Sequence, residues 1–147
     1  KLNKNMDKLK QTIQQLLEMI GFKDFSVETD AETKKISILI NEGEWFKDWL
    51  PKLVVEFNQL INLIGKKIAL DVVFVDVNNY RKERERLIVE LAKAAARKAL
   101  LTKEEIKLPA MNAYERRLVH VELSTRPDVK TESIGQGPER GVVIKPI

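Results

Sequence analysis

The stretch Asn112-Ala-Tyr-Glu115-Arg116-Arg117-Leu-Val-His120 decides how the second half of this chain is read. Asn112 is a good helix N-cap, and Glu115 three residues later completes a capping-box pattern. A helix begun there stacks Arg116 and His120, four residues apart, on one face. A guanidinium beside an imidazole makes a small cationic, planar surface suited to phosphate oxygens and unstacked bases. Tyr114, Leu118 and Val121 fall on one stripe, with Val119 and Leu123 beside it, and are the expected core contacts. Ala113, Arg116, Arg117, His120 and Ser124 form a second, polar stripe. His120 is the only histidine in the chain.

Downstream, Pro127 marks the end of a connection, and two strands are expected at Val129–Ser133 and Gly141–Pro146. The loop between them carries Gly135, Gly137 and Arg140. It is not a nucleotide-binding P-loop, because no Gly-Lys-Ser/Thr follows. Its glycines, Gly137 among them, either expose backbone N–H groups to a phosphate beside Arg140 or simply close a long hairpin. Upstream, a short strand is expected at Ile106–Leu108. Before it, Asn78-Asn79 starts a long basic helix over Tyr80–Leu100, with Leu87, Ile88, Leu91, Ala92, Ala95 and Ala99 as its apolar stripe. Arg81, Lys82, Arg84 and Arg86 alternate with Glu83 and Glu85. That alternation reads as a solvated, self-paired helix start or as an extension of a phosphate track.

The first half is nearly neutral, with 11 Lys+Arg against 12 Asp+Glu in residues 1–78. Asp7–Ile20 has helical apolar spacing and stops at Gly21. Phe25–Asp30 and Lys35–Asn41 form a hairpin with Ile36, Ile38 and Ile40 inward. Trp45, Phe46, Trp49 and Leu50 crowd the segment before Pro51, and a helix is expected from Pro51 to Ile64. At least two of these four must be core, and the remainder are candidates for an exposed docking patch. Ala69–Val77 reads as a central strand covered on both faces. The expected fold class is α+β, with two small α/β sandwich units over residues 1–78 and 79–147, joined by the long basic helix.

Residues 79–147 hold 15 Lys+Arg against 10 Asp+Glu, so the chain's net charge of +4 comes from its second half. An anionic partner is expected there. The absence of cysteine excludes disulfides and thiolate chemistry and fits a cytoplasmic location. A lone histidine removes multi-histidine metal sites, and no nucleophile–base order or paired-carboxylate motif stands out. No enzyme activity, cofactor or metal is therefore expected, and no apolar run is long enough for membrane insertion.

The run Pro109-Ala-Met-Asn-Ala-Tyr-Glu-Arg-Arg-Leu-Val-His120, with Gly135-Gln-Gly-Pro-Glu-Arg140 and a closing strand, resembles the R-three-H domain. Arg116 and His120 would supply its Arg-x-x-x-His. Together with Asp76-Val-Asn-Asn-Tyr-Arg-Lys-Glu-Arg-Glu-Arg86, the chain is similar to the bacterial Jag family (SpoIIIJ-associated, also called KhpB or EloR). That family places a type II KH domain immediately before the R-three-H domain. The resemblance implies binding of single-stranded nucleic acid, RNA in this family, by a post-transcriptional regulator, with single-stranded DNA as the other candidate partner. It also implies a KH-domain partner protein or a homodimer, and links to elongation, division or sporulation. The site residues it implies are Arg116 and His120. The residues themselves add Arg117, Arg140 and Gly137 as neighbouring phosphate contacts. Family members often carry a further N-terminal Jag domain, and a chain beginning at Lys1 is expected to have an upstream segment.

One departure stands out. A KH domain binds nucleic acid through a Gly-x-x-Gly loop between two helices. No two of this chain's six glycines lie three residues apart. Where that loop belongs stands Lys47-Asp48-Trp49-Leu50-Pro51. A KH-like unit without its clamp is the expectation, and the alternative function is a protein-interaction adaptor or dimerisation scaffold built on that unit.

Overall fold

The alternation at Ile36, Ile38 and Ile40 and the helical spacing of Leu9, Ile13 and Leu17 meet in one core, and every one of these six side chains is buried. They belong to a computed structural model that describes residues 1–147, and the protein is α+β. The chain divides into two compact units, Lys1–Arg81 and Lys82–Ile147.

The first unit runs α1 (Leu2–Ile20), β1 (Phe25–Asp30), β2 (Lys35–Ile40), α2 (Trp45–Lys67) and β3 (Phe74–Val77). β1 and β2 pair antiparallel, β2 and β3 parallel, in the order β1-β2-β3. α1 begins a turn before Asp7 because Met6 is already a core residue. Gly21 stops it with φ near 111°, its N–H returning to the carbonyls of Leu17 and Glu18.

α2 corrects two expectations. It starts at Trp45 rather than Pro51, so Lys47–Pro51 is helix and not loop, and Pro51 lies inside it. The proline removes one backbone donor there. Phe46 and Leu50 nevertheless hold the first turns, since both are buried in the core together with Val54, Phe57 and Ile61. Trp45 and Trp49 face solvent, 56% and 57% exposed. Two of the four crowded side chains are thus core and two are surface.

β3 is also shorter than the apolar run suggests, and it is an edge strand rather than a central one. Val72 and Phe74 are exposed. Three polar side chains close its outer edge. The Asn62 amide accepts from the Val73 N–H (2.8 Å) and donates to the Val73 carbonyl (3.0 Å). Asn58 Oδ1 accepts from the Val75 N–H at 3.2 Å, and Asp76 Oδ1 from the Val77 N–H at 2.9 Å. The same Asp76 oxygen accepts from the Arg81 N–H as the next helix begins. Asn78, in the left-handed region, spends its side-chain amide on the N–H and carbonyl of Ile40, as a further rung on β2. Asn62→Ala should therefore cost about 2 kcal/mol, because Val73 is buried and loses both partners. A denaturant midpoint that does not move would show that water replaces the amide without loss.

The second unit contains most of α3 (Tyr80–Thr102), then β4 (Ile106–Lys107), α4 (Ala113–Leu123), β5 (Val129–Ile134) and β6 (Gly141–Pro146). Its sheet is antiparallel throughout, in the order β4-β6-β5. α3 packs through small residues: Ile88, Ala92, Ala95, Ala96 and Ala99 are buried, while Leu87 and Leu91, expected inside, are exposed. The alanine face lets the helix approach its neighbours closely. A short 3-10 turn, Gly137–Glu139, interrupts the loop between β5 and β6.

No helix is long and apolar enough to cross a membrane.

Candidate nucleic-acid interface

The capping box at the start of α4 forms as its residues predict. The Glu115 N–H donates to Asn112 Oδ1 at 2.9 Å, and the Asn112 N–H donates to Glu115 Oε2 at 3.1 Å. Glu115 also takes Arg84 as a partner and is itself buried. That burial turns the helix. Its core stripe is Glu115, Val119 and Leu123, not the expected Tyr114, Leu118 and Val121. Tyr114 and Val121 are 58% and 61% exposed, and Leu118 is half-buried. A carboxylate with hydrogen-bond partners on both oxygens can be buried where an unpaired one cannot. Tyr114 instead donates its phenol hydrogen to Glu85 at 2.9 Å, which holds its ionisation above the usual tyrosine range.

With that rotation, Arg116 lies half-buried beside the core stripe. Its Nη1 donates to the Met111 carbonyl at 2.7 Å, so one nitrogen fixes the group and its other donors remain available. His120 is held on both ring nitrogens. Nδ1 lies 2.7 Å from Thr131 Oγ1 and Nε2 lies 2.9 Å from Ser133 Oγ. Either tautomer is satisfied, since a hydroxyl can donate to the bare nitrogen or accept from the protonated one. The two hydroxyls come from alternate residues of β5, hence from one face of that strand. Thr131 and Ser133 are site residues that the sequence does not single out. Strand alternation gives their shared face, but not which helix residue they meet.

Arg140 joins the site through its backbone, because its carbonyl accepts from the Met111 N–H at 3.0 Å. Met111 therefore ties α4's Arg116 on one side and the β5–β6 loop on the other. That loop is tightly folded. A side chain at Gly135 would meet the Glu139 carbonyl at 3.2 Å, and Gly137 has a φ of 60°. Next to it a shallow cleft is lined by Lys107, Pro109, Ala110, Pro138 and Glu139. Arg117 is next to Arg116 in sequence and therefore points off a different side of α4.

Charge pairing occupies five other cations of the unit, while Lys82, Arg97, Lys98, Lys103, Lys107 and Lys130 share with these arginines the lack of a salt-bridged carboxylate. Arg84 pairs with Glu115, Arg86 with Glu83, Lys93 with Glu90 and Glu122, Arg126 with Asp128, and Lys145 with Glu105 and Glu132. The hydrogen bonds from Arg86, Arg126 and Lys145 hold Glu83, Asp128 and Glu132 below the ordinary carboxylate range. The start of α3 is thus self-paired at Glu83 and Arg86, while Arg84 serves α4. Arg116, Arg117 and Arg140 have no carboxylate partner. No cluster of histidine and carboxylate groups suited to a metal ion is present.

Residues 86–146 match the R-three-H domain family. The chain is 31% identical over 144 residues to the RNA-binding protein KhpB of Clostridium symbiosum, an alignment covering 94% of this chain and 64% of that protein. It is 39% identical over 74 residues to the RNA-binding protein KhpB of Bacillus subtilis (strain 168), covering 49% of this chain and 36% of that protein. With KhpB of Lactiplantibacillus plantarum it shares 38% identity over 72 residues, 49% of this chain and 22% of that one. The chain thus spans less than two thirds of the length of each of these relatives. An Arg-x-x-x-His on a capped helix, the domain match around it and these likenesses agree: residues 86–146 match an R-three-H domain, and the chain as a whole is similar to the KhpB proteins of the Jag family.

Proposed function

We propose that the protein is an RNA-binding regulator that holds single-stranded RNA on the R-three-H face of α4. The observation that carries this reading is that Arg116, Arg117 and Arg140 have no carboxylate partner, while His120, one turn from Arg116 on the same helix, is held on both ring nitrogens. Phosphates are bound by the guanidinium forks and, in the β5–β6 loop, by backbone near Gly137. Fixing Arg116 and His120 before RNA arrives lowers the ordering cost of binding. The relatives are named as RNA-binding proteins, which favours RNA over other polyanions.

The first unit fits a KH-like domain by its element order and mixed sheet, and it contributes no clamp. A continuous α2 occupies the position of the Gly-x-x-Gly loop, with Asp48 in its first turn. Contacts to a protein partner or a second copy are assigned to this unit, where Trp45 and Trp49 offer exposed apolar surface. The protein acts in the cytoplasm and by binding rather than by catalysis.

Three phosphate contacts release counterions on binding. The logarithm of RNA affinity should fall with the logarithm of salt concentration at a slope of about −2, from roughly 0.7 per contact on a single strand. Anisotropy titrations of a labelled single-stranded RNA across salt concentrations measure that slope. A flat response would remove the arginines from the interface and overturn the reading.

A further inference from the structure

Among residues 82–147, Tyr114 is the only Phe, Trp or Tyr. Small domains ordinarily bury such a ring, because an aromatic side chain supplies a large apolar area. This one is 58% exposed on α4, while alanines and aliphatic residues build the core of the unit. Its hydroxyl is bonded to Glu85 on the preceding helix, so the ring is tethered at its far end without being covered. Tyr114, Arg117 and His120 follow one another at three-residue spacing. They therefore form one row on the helix surface, about 9 Å long from the rise per residue. Val121 lies exposed beside the row.

An exposed ring, an arginine without a carboxylate partner and an imidazole in one row meet the two requirements of a single-strand track. These are a flat face for a base and a cation for the adjoining phosphate. Stacking uses only the face of a base, so it needs no fit to a particular nucleotide. We infer that Tyr114 is a base-stacking platform, on which one base of the bound strand lies flat while Arg117 takes the neighbouring phosphate. This rests on the single-stranded RNA reading above and adds to it a contact with a base.

The tether also explains why the tyrosine is ready to stack. Its χ angles are held before a base arrives, so little rotamer entropy remains to be lost. Losing the tether costs only that small rotamer entropy, whereas losing the ring removes the stack, and that difference provides the control.

The test compares two labelled probes of equal length, a short oligouridylate and the corresponding ribose-phosphate oligomer lacking every base. The wild-type chain should bind the oligouridylate more tightly. Tyr114→Ala should weaken oligouridylate binding about tenfold and leave the abasic oligomer unchanged. Tyr114→Phe, which keeps the ring and loses the bond to Glu85, should stay within about twofold of wild type on both probes. Equal losses on both probes, or no loss on the oligouridylate, would overturn the stacking role while leaving the phosphate track standing. Failure of the wild-type chain to bind either probe would overturn the RNA reading and the stacking role together.

Discussion

The double variant Arg116→Ala/His120→Ala should bind single-stranded RNA at least tenfold more weakly than the parent, a loss of about 1.4 kcal/mol or more. The two side chains contribute differently. Arg116 brings charge and a donor fork already anchored on the Met111 carbonyl. His120 brings a ring locked between Thr131 and Ser133, and its removal also frees those two hydroxyls to move. Neither residue is a large core side chain, so the variant should remain folded, which circular dichroism and a thermal melt will check. The salt slope should also become shallower by about 0.7, since one phosphate contact is gone. Unchanged affinity in a folded double variant would place the RNA elsewhere on the molecule.

Glu115→Ala should have the larger effect on stability, about 3 kcal/mol when the next two contributions are added. The substitution takes the second arm of the capping box from the Asn112 N–H, worth about 1 kcal/mol. It also takes the carboxylate from Arg84, and a hydrogen bond between ionised groups adds about 2 kcal/mol. For a unit of this size the melting temperature should drop by more than about 10 °C. Glu115→Gln keeps an acceptor for Asn112 and loses only the charge, so it should recover part of the deficit. If alanine and glutamine melt alike, the cap is idle and the ion pair carries the whole effect.

Much of this architecture is legible in the sequence because local chemistry and tertiary packing agree. The hairpin at β1–β2 follows from strict alternation around Ile36, Ile38 and Ile40. The start of α4 follows from Asn112 and Glu115, whose bonds are local. Arg116 and His120 are legible as a pair for the same reason. Three features are not. The apolar count on α4 favours Tyr114, Leu118 and Val121 as the inner face, whereas burial goes to Glu115, whose partner Arg84 lies 31 residues away. Pro51 resembles a helix boundary, yet core contacts at Phe46 and Leu50 carry α2 through it. The β-forming run from Ala69 loses its first residues to a turn. Ala69 sits in the left-handed region, and the Leu70 N–H bonds to the Gly65 carbonyl. Thr131 and Ser133 belong to the same class of omission, being partners recognised only once α4 lies on β5.

The amide side chains along β3 bear on how copies of this protein can associate. A sheet extends when a new strand finds unpaired N–H and carbonyl groups at its border. At β3 the N–H groups of Val73, Val75 and Val77 and the Val73 carbonyl are already taken by Asn58, Asn62 and Asp76, and β1 is the other border of that sheet. Chains that could add at both borders would polymerise without limit. With the donors of one border taken, strand addition to this sheet is directed to β1, which favours a pair over an open-ended stack.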